Sequence, residues 1–330
     1  VYFSPSNNIE HILDEVKPDF IFNCSHIHSP ASDFPMKIAQ HKGYKTGVFI
    51  FSWDNLTSRS RIFPFYNSYF FWNNEILNHF KSLYPERVMD NNLFALGTPQ
   101  FDFHFKKSYQ KSYKELCNLQ GIDASRPFIL YTTGVNEHFP EEHKIVLLVH
   151  EILKKINHPL NPQLVVRTYI KGTSIDMESL SKQNLDGMVF PPLFWDRENY
   201  TPLRDDIKVY SNLLRHCLFG INAASTVSLE LMIFDKPIIN LGFDPPNTKL
   251  PNYSRYSNHI KLDHYKPIAN SKSVMIANSE LDLRKMMESA LNLPLENSRD
   301  RKDFINEMFD NQLDGQSANR IAKCIKKVII

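Results

Sequence analysis

The residues with the most chemical content stand together in one run: Ala224, Ser225, Thr226, Val227, Ser228, Leu229 and Glu230. An apolar stretch at 218–221 precedes them, and a second, opened by Pro237, follows. That order predicts strand, helix, strand, with the helix beginning at Ser225 and Thr226. The first N–H groups of a helix lack intrahelical partners and carry the positive end of its dipole. With two hydroxyls beside them they form a place for a phosphate. Ser225 would serve equally well as a plain N-cap, and the run alone leaves both roles open.

Other candidates stand at the ends of apolar runs. Thr133 and Gly134 close the run 128–133, and glycine there lets backbone N–H groups approach a ligand. An ordinary strand-to-helix turn has the same composition. Arg167 ends the run 164–167, with Tyr169 and Lys171 beyond it. A guanidinium at a strand end forks onto two phosphate oxygens, or else joins a structural ion pair. Trp53, Asp54 and Asn55 follow the run 46–51, where Asp54 is placed either as general base on an acceptor hydroxyl or as a turn cap. His26 and His28 follow the run 19–24. A His-x-His pair without a third placed ligand is a weak metal site, and substrate contact or a plain loop fits it better. No compact carboxylate pair stands at a strand end, so no metal site is predicted. Gly-x-Gly-x-x-Gly and Walker patterns are absent, which argues against dinucleotide and P-loop chemistry.

The elements that must position these residues alternate along the chain. Apolar runs at 19–24, 46–51, 69–72 and 93–96 read as strands, separated by helical segments such as 34–41 and 75–83. Residues 102–126 are polar and Lys-rich, and the alternation restarts at Phe128. Strands spaced by helices predict parallel sheets covered on both faces. The fold class is therefore α/β, with two Rossmann-like domains. Residues 1–115 form the N-terminal domain and 116–317 the C-terminal domain, and a final helix at 318–330 packs back towards the first. Two open α/β domains in series place a cleft between the carboxyl ends of their sheets, where ligands bind.

Bulk properties narrow the classes. The chain has 330 residues, enough for two domains with cores of their own. A net charge of +2 gives no general attraction to nucleic acid. Cys24, Cys117, Cys217 and Cys324 are far apart, which fits reduced thiols in a cytosolic protein. No apolar stretch approaches the roughly 20 residues a membrane span requires, and no signal peptide is visible. The first residue is Val1 rather than Met, so a trimmed N-terminus is expected.

Several segments together resemble the GT-B glycosyltransferases of bacterial surface-polysaccharide synthesis. These include capsule and lipopolysaccharide transferases and the CDP-glycerol glycerophosphotransferase-like group. The matching pieces are 52–55, 97–102, 210–215 (YSNLLR), 224–230 (ASTVSLE) with Lys236 and Pro237, and 314–321 (DGQSANRI). The resemblance implies a C-terminal domain that holds a nucleotide-sugar and an N-terminal domain that holds the acceptor. On the donor side it implicates Thr133, Gly134, Arg167, Lys171, Tyr210, Ser225, Thr226, Ser228 and Glu230, with Glu230 on the ribose or sugar. On the acceptor side it implicates His26, His28, Trp53 and Asn55, with Asp54 as base. One departure is visible: relatives often carry Arg-x-His-Pro after the second-domain strand, whereas Thr168, Tyr169 and Ile170 follow Arg167 here. The implied activity is metal-independent transfer from a nucleotide-sugar donor to a glycan or lipid-linked acceptor at the cytoplasmic face of the membrane. The nucleotide-sugar is a co-substrate, and no cofactor is expected. Two alternatives share the scaffold: a UDP-N-acetylglucosamine 2-epimerase-like isomerase, and a non-catalytic glycan-assembly subunit.

Overall fold

The computed structural model describes residues 7–24, 32–58, 61–170, 173–196 and 198–329. His26, His28 and Lys171 lie outside these. The chain forms two compact units, one of Val1–Phe105 with Asn306–Ile330 and one of Lys106–Ile305.

In the first unit, helices α1 (Asn7–Val16), α2 (Asp33–His41), α3 (Asn55–Ser58) and α4 (Asn74–Leu83) alternate with four strands. The strands β1 (Ile21–Asn23), β2 (Thr46–Phe49), β3 (Ser68–Phe71) and β4 (Leu93–Ala95) form a parallel sheet in that order. Central β3 reads Ser-Tyr-Phe-Phe, and all four residues are buried, as an inner parallel strand covered on both faces requires. In β2, Gly47 is demanded by its neighbours: a Cβ there would lie 2.5 Å from the Phe20 ring. Within this unit the end of the chain is tied to its start. Trp72 stacks on Phe309 with ring centroids 5.7 Å apart, and Asn73 Nδ2 donates to the carbonyl of Met308 at 2.8 Å.

The second unit begins with α5 (Tyr113–Gln120), β5 (Phe128–Thr132), α6 (Glu142–Lys155), β6 (Gln163–Arg167), α7 (Ile175–Ser181) and β7 (Met188–Val189). A two-stranded antiparallel ribbon of β8 (Trp195–Asp196) and β9 (Thr201–Pro202) follows. Next come α8 (Arg204–His216), β10 (Gly220–Asn222), α9 (Val227–Ile233), β11 (Ile238–Leu241), α10 (Tyr256–Ile260), α11 (Lys266–Ala269), β12 (Met275–Ala277) and α12 (Glu280–Asn292). The chain leaves this unit along α13 (Ser298–Met308) and closes with α14 (Ser317–Ile329). Six strands form one parallel sheet in the order β12-β11-β10-β5-β6-β7. Tyr131, Val166, Ile221 and Ile239 project from one face into an apolar core filled by Ile145 and Val149 of α6 and Leu283 and Met287 of α12.

Two α/β units with parallel sheets agree with the fold class read from the alternation. The division differs from the expected 115/116 boundary, because residues 106–111 are fastened to α8. Asn212 Nδ2 donates to the Tyr109 carbonyl at 2.7 Å, and Asn212 Oδ1 accepts from the Lys111 N–H at 2.9 Å. At the other end the returning segment starts at Asn306 rather than at 318, since Phe309 already stacks in the first unit. The carboxylate of Asp102 accepts from the N–H groups of Ser317 (3.2 Å) and Ala318 (2.8 Å), capping α14 from outside its own segment.

Candidate functional site

In the second unit, Arg167 of β6 pairs laterally with Thr132 of β5, Thr132 with Asn222 of β10, and Asn222 with Asn240 of β11. Laterally paired residues of parallel strands project from the same face. Four polar side chains thus form a single row near the carboxyl ends of the four central strands. All are buried, with exposures of 6%, 6%, 1% and 0% in the order given.

Buried polar groups are costly unless hydrogen-bonded, and most of the row is satisfied. Asn240 Nδ2 donates to Asn222 Oδ1 (3.1 Å) and to Ser228 Oγ (3.0 Å). Tyr265 OH donates to Asn240 Oδ1 at 2.9 Å, and Ser228 Oγ donates to Asn222 Oδ1 at 3.2 Å. At the other end Arg167 Nη2 donates to Asp206 Oδ2 in a buried ion pair. Asp206 is held in turn by the Phe194 N–H and the Trp195 indole N–H, both at 2.9 Å. Three atoms on three adjacent strands remain buried with no partner among the described residues: Arg167 Nη1, Thr132 Oγ1 and Asn222 Nδ2. Each is able to donate a hydrogen bond, so the row is short of acceptors, which is what phosphate or sugar oxygens supply.

Beside the row, Tyr210 OH donates to Glu230 Oε1 at 2.9 Å. Burial first, and then the Glu230 charge, push the Tyr210 phenol well above its usual range, while the Arg167 charge acts against them. Tyr210, Glu230 and Arg167 therefore share one neighbourhood, with the phenol held neutral.

The structure assigns other duties to several of the expected residues. The helix after β10 starts at Val227, with Thr226 as its N-cap, and has only 7 residues; it begins later than expected and is short for a strong dipole. Ser225 Oγ accepts from the Val227 N–H at 3.2 Å and so closes the turn. Its proton, and the Thr226 hydroxyl, have no partner among the described residues. Ser228 is fully buried, and its hydroxyl holds Asn222 and Asn240 in place rather than facing outward. Thr133 Oγ1 accepts from the Tyr169 N–H at 2.9 Å, fastening the loop after β5 to the loop after β6. At Gly134 the N–H is taken by the Glu142 carboxyl at 3.0 Å. The reason for glycine there is steric: a Cβ would lie 2.2 Å from the Phe139 ring.

Glu142 went unnoticed in the sequence. It is buried in the first turn of α6, where Tyr131 OH donates to it at 3.0 Å. Desolvation drives its carboxyl from 4.5 up to about 8, against the lowering effect of those two hydrogen bonds. Asp206, Asn222 and Asn240 were missed as well, whereas Thr132 stands beside Thr133 at the same strand end and 264–267 is a segment the sequence offers as cleft lining. One signal was present: 128–132, 163–167, 220–222 and 238–241 are apolar runs that each carry a polar residue at or next to the carboxyl end.

In the first unit, Asp54 Oδ2 accepts from Ser58 Oγ at 2.7 Å, and the Asp54 carbonyl accepts from the Ser58 N–H at 2.9 Å. Asn55 is buried, with Oδ1 accepting from the Ser52 N–H at 2.7 Å. Asp54 and Asn55 thus build the turn that starts α3. Among the described residues, no group of three or more His, Cys, Asp and Glu could hold a metal ion, and no helix is long and apolar enough to cross a membrane.

No family model matches the chain, and no curated protein matches it by sequence. Solved structures match by fold. The UDP-GlcNAc 2-epimerase of Neisseria meningitidis bound to UDP-GlcNAc is 14% identical, with 98% of this chain and 80% of that one covered and a TM-score of 0.60. The corresponding epimerase of Methanocaldococcus jannaschii is 14% identical over 96% and 80%, with a TM-score of 0.60. The wall teichoic acid polymerase TagF is 14% identical over 80% of this chain and 58% of its own, with a TM-score of 0.53. Fold and topology together define a two-domain α/β protein of the GT-B type. At these identities the likeness is one of fold.

Proposed function

We propose that the protein is a nucleotide-sugar-dependent glycosyltransferase, with the donor bound by the second unit. The observation that carries this reading is the row of three buried, unpartnered donors, Arg167 Nη1, Thr132 Oγ1 and Asn222 Nδ2, near the carboxyl ends of adjacent parallel strands. Ligands of open α/β sheets bind at that edge. In this reading Arg167, Ser225 and Thr226 stabilise the diphosphate as the bond from sugar carbon to phosphate oxygen breaks, while Glu230 and Tyr210 meet the ribose or sugar. Asp54 takes the proton of the attacking acceptor hydroxyl. Stabilisation of the leaving group comes from these side chains without a metal ion. The acceptor is a glycan or lipid-linked glycan, and the enzyme works at the inner membrane face.

The fold likeness supports a second reading, a UDP-N-acetylglucosamine 2-epimerase. Isomerisation requires a free carboxylate or other base beside the sugar to remove a proton. Asp206 is engaged by Arg167, Trp195 and Phe194, Glu230 by Tyr210, and Glu142 by Tyr131 and Gly134, whereas the Glu137 carboxylate on the loop after β5 has no partner among the described residues and is a candidate base for this reading.

Incubation with UDP-N-acetylglucosamine, followed by proton and phosphorus NMR, separates the two. A transferase leaves the nucleotide-sugar intact until an acceptor is added and then releases the nucleotide. A 2-epimer forming without acceptor establishes the epimerase. If no UDP-, CDP-, GDP- or dTDP-linked donor binds by calorimetry, both readings fall.

A further inference from the structure

An open groove of about 550 Å³ lies wholly within the second unit. Asn136, Glu137 and Lys144 line one wall, from the segment after β5 and the first turn of α6. Asn247, Lys249 and Tyr253 line the other, from the segment after β11. The walls are fastened together: Lys144 Nζ pairs with Glu141 at 2.8 Å and donates to Thr248 Oγ1 at 3.1 Å. The Tyr256 N–H donates to Asp244 Oδ1 at 2.9 Å, and Tyr256 OH reaches the Pro140 carbonyl at 3.3 Å. Glu141 itself sits at φ +60°, a conformation that residues with a side chain seldom adopt outside constrained sites.

Among the described residues, the side chains of Asn136, Glu137, Asn247, Lys249 and Tyr253 have no hydrogen-bond or ion-pair partner. The lining carries two carboxylates, Glu137 and Glu141, and two ammonium groups, Lys144 and Lys249, so its net charge is zero. Such a lining has no net charge to draw in an anion. Hydroxyl groups both donate and accept, and here they meet a carboxylate that accepts, an ammonium that donates and amides that do both. The Tyr253 ring is 80% exposed and offers a flat apolar face to the C–H side of a pyranose.

We propose that this groove binds a neutral glycan chain, with Tyr253 against a sugar ring and Asn136, Glu137, Asn247 and Lys249 on its hydroxyls. The site rests on the groove's own chemistry, and only its meaning as an acceptor subsite depends on the transferase reading.

Saturation-transfer NMR of the full chain with chitotriose and with maltotriose tests the proposal, with calorimetry of UDP and UDP-N-acetylglucosamine in parallel. Transfer to at least one trisaccharide is expected, falling at least fivefold in Tyr253→Ala and in Glu137→Ala. UDP affinity and melting temperature should stay unchanged in both variants. No transfer to either trisaccharide overturns the proposal, as does transfer that survives both substitutions. Loss of UDP-N-acetylglucosamine affinity in Tyr253→Ala, with no trisaccharide bound, assigns the groove to a donor's own sugar and also overturns it. Trisaccharide binding that depends on Tyr253 in a protein that binds no nucleotide leaves the glycan site standing and removes the nucleotide-sugar reading.

Discussion

Replacing Glu142 by Gln removes a carboxyl group that burial holds protonated far above its ordinary range. Its affinity for protons rises from 4.5 in the open chain to about 8 in the folded protein. The native state therefore binds more protons than the unfolded state throughout that window, and stability falls as pH rises through it. At ~1.4 kcal/mol per pH unit the whole window amounts to about 5 kcal/mol, of which about 3 kcal/mol falls between pH 5 and pH 8. The groups facing Glu142 do not titrate there, since burial and the Glu142 charge push the phenols of Tyr131 and Tyr256 upward. Gln also changes the contact with the Gly134 N–H, where an amide NH2 meets a donor, but that effect does not vary with pH. The informative quantity is thus the difference in slope. Urea denaturation of wild type and Glu142→Gln at intervals from pH 5 to pH 8 should show the variant gaining about 3 kcal/mol relative to wild type across the range. Parallel stability curves would refute the reasoning and mean that Glu142 ionises normally or reaches water.

Breaking the buried Arg167–Asp206 pair with Asp206→Ala should cost about 3–5 kcal/mol in denaturant unfolding, because it strands a buried guanidinium. Replacing both partners by apolar residues of similar length, Arg167→Met with Asp206→Leu, should recover much of that stability while nucleotide affinity is lost. Ser225→Ala with Thr226→Ala should weaken nucleotide binding by about 1–3 kcal/mol per lost charge-assisted bond, whereas loss of the turn alone costs the fold about 1 kcal/mol; unchanged affinity with a lower melting temperature would confine both residues to the turn. Asp54→Asn should lower turnover by about 10²–10⁴-fold with donor affinity unchanged, and normal rates would reduce Asp54 to the cap of α3. Turnover should survive EDTA, and loss that Mg²⁺ or Mn²⁺ restores would count against metal-independent transfer.

The alternation of apolar runs with amphipathic helices was enough to place most strands and to divide the chain into two α/β units, because periodicity is a local property of the sequence. Arg167 and Thr133 could be picked out for the same reason, each lying at the carboxyl end of an apolar run. The row itself was not legible. Lateral register puts Arg167, Thr132, Asn222 and Asn240 side by side only after four strands separated by whole helices have paired. Asp205 and Asp206 both stand in the first turn of α8, and only folding brings Asp206 to Arg167 and to the Trp195 indole. Gly134 was readable as a special position but not as one shaped by Phe139, and Glu142 had the polarity of a surface residue until α6 carried it beneath Tyr131. The sequence by itself determined which segments would become strands and helices, since those preferences act within a few residues. Tertiary structure alone decided which polar atoms would be buried, paired or left open, because desolvation and hydrogen bonding depend on neighbours far away along the chain.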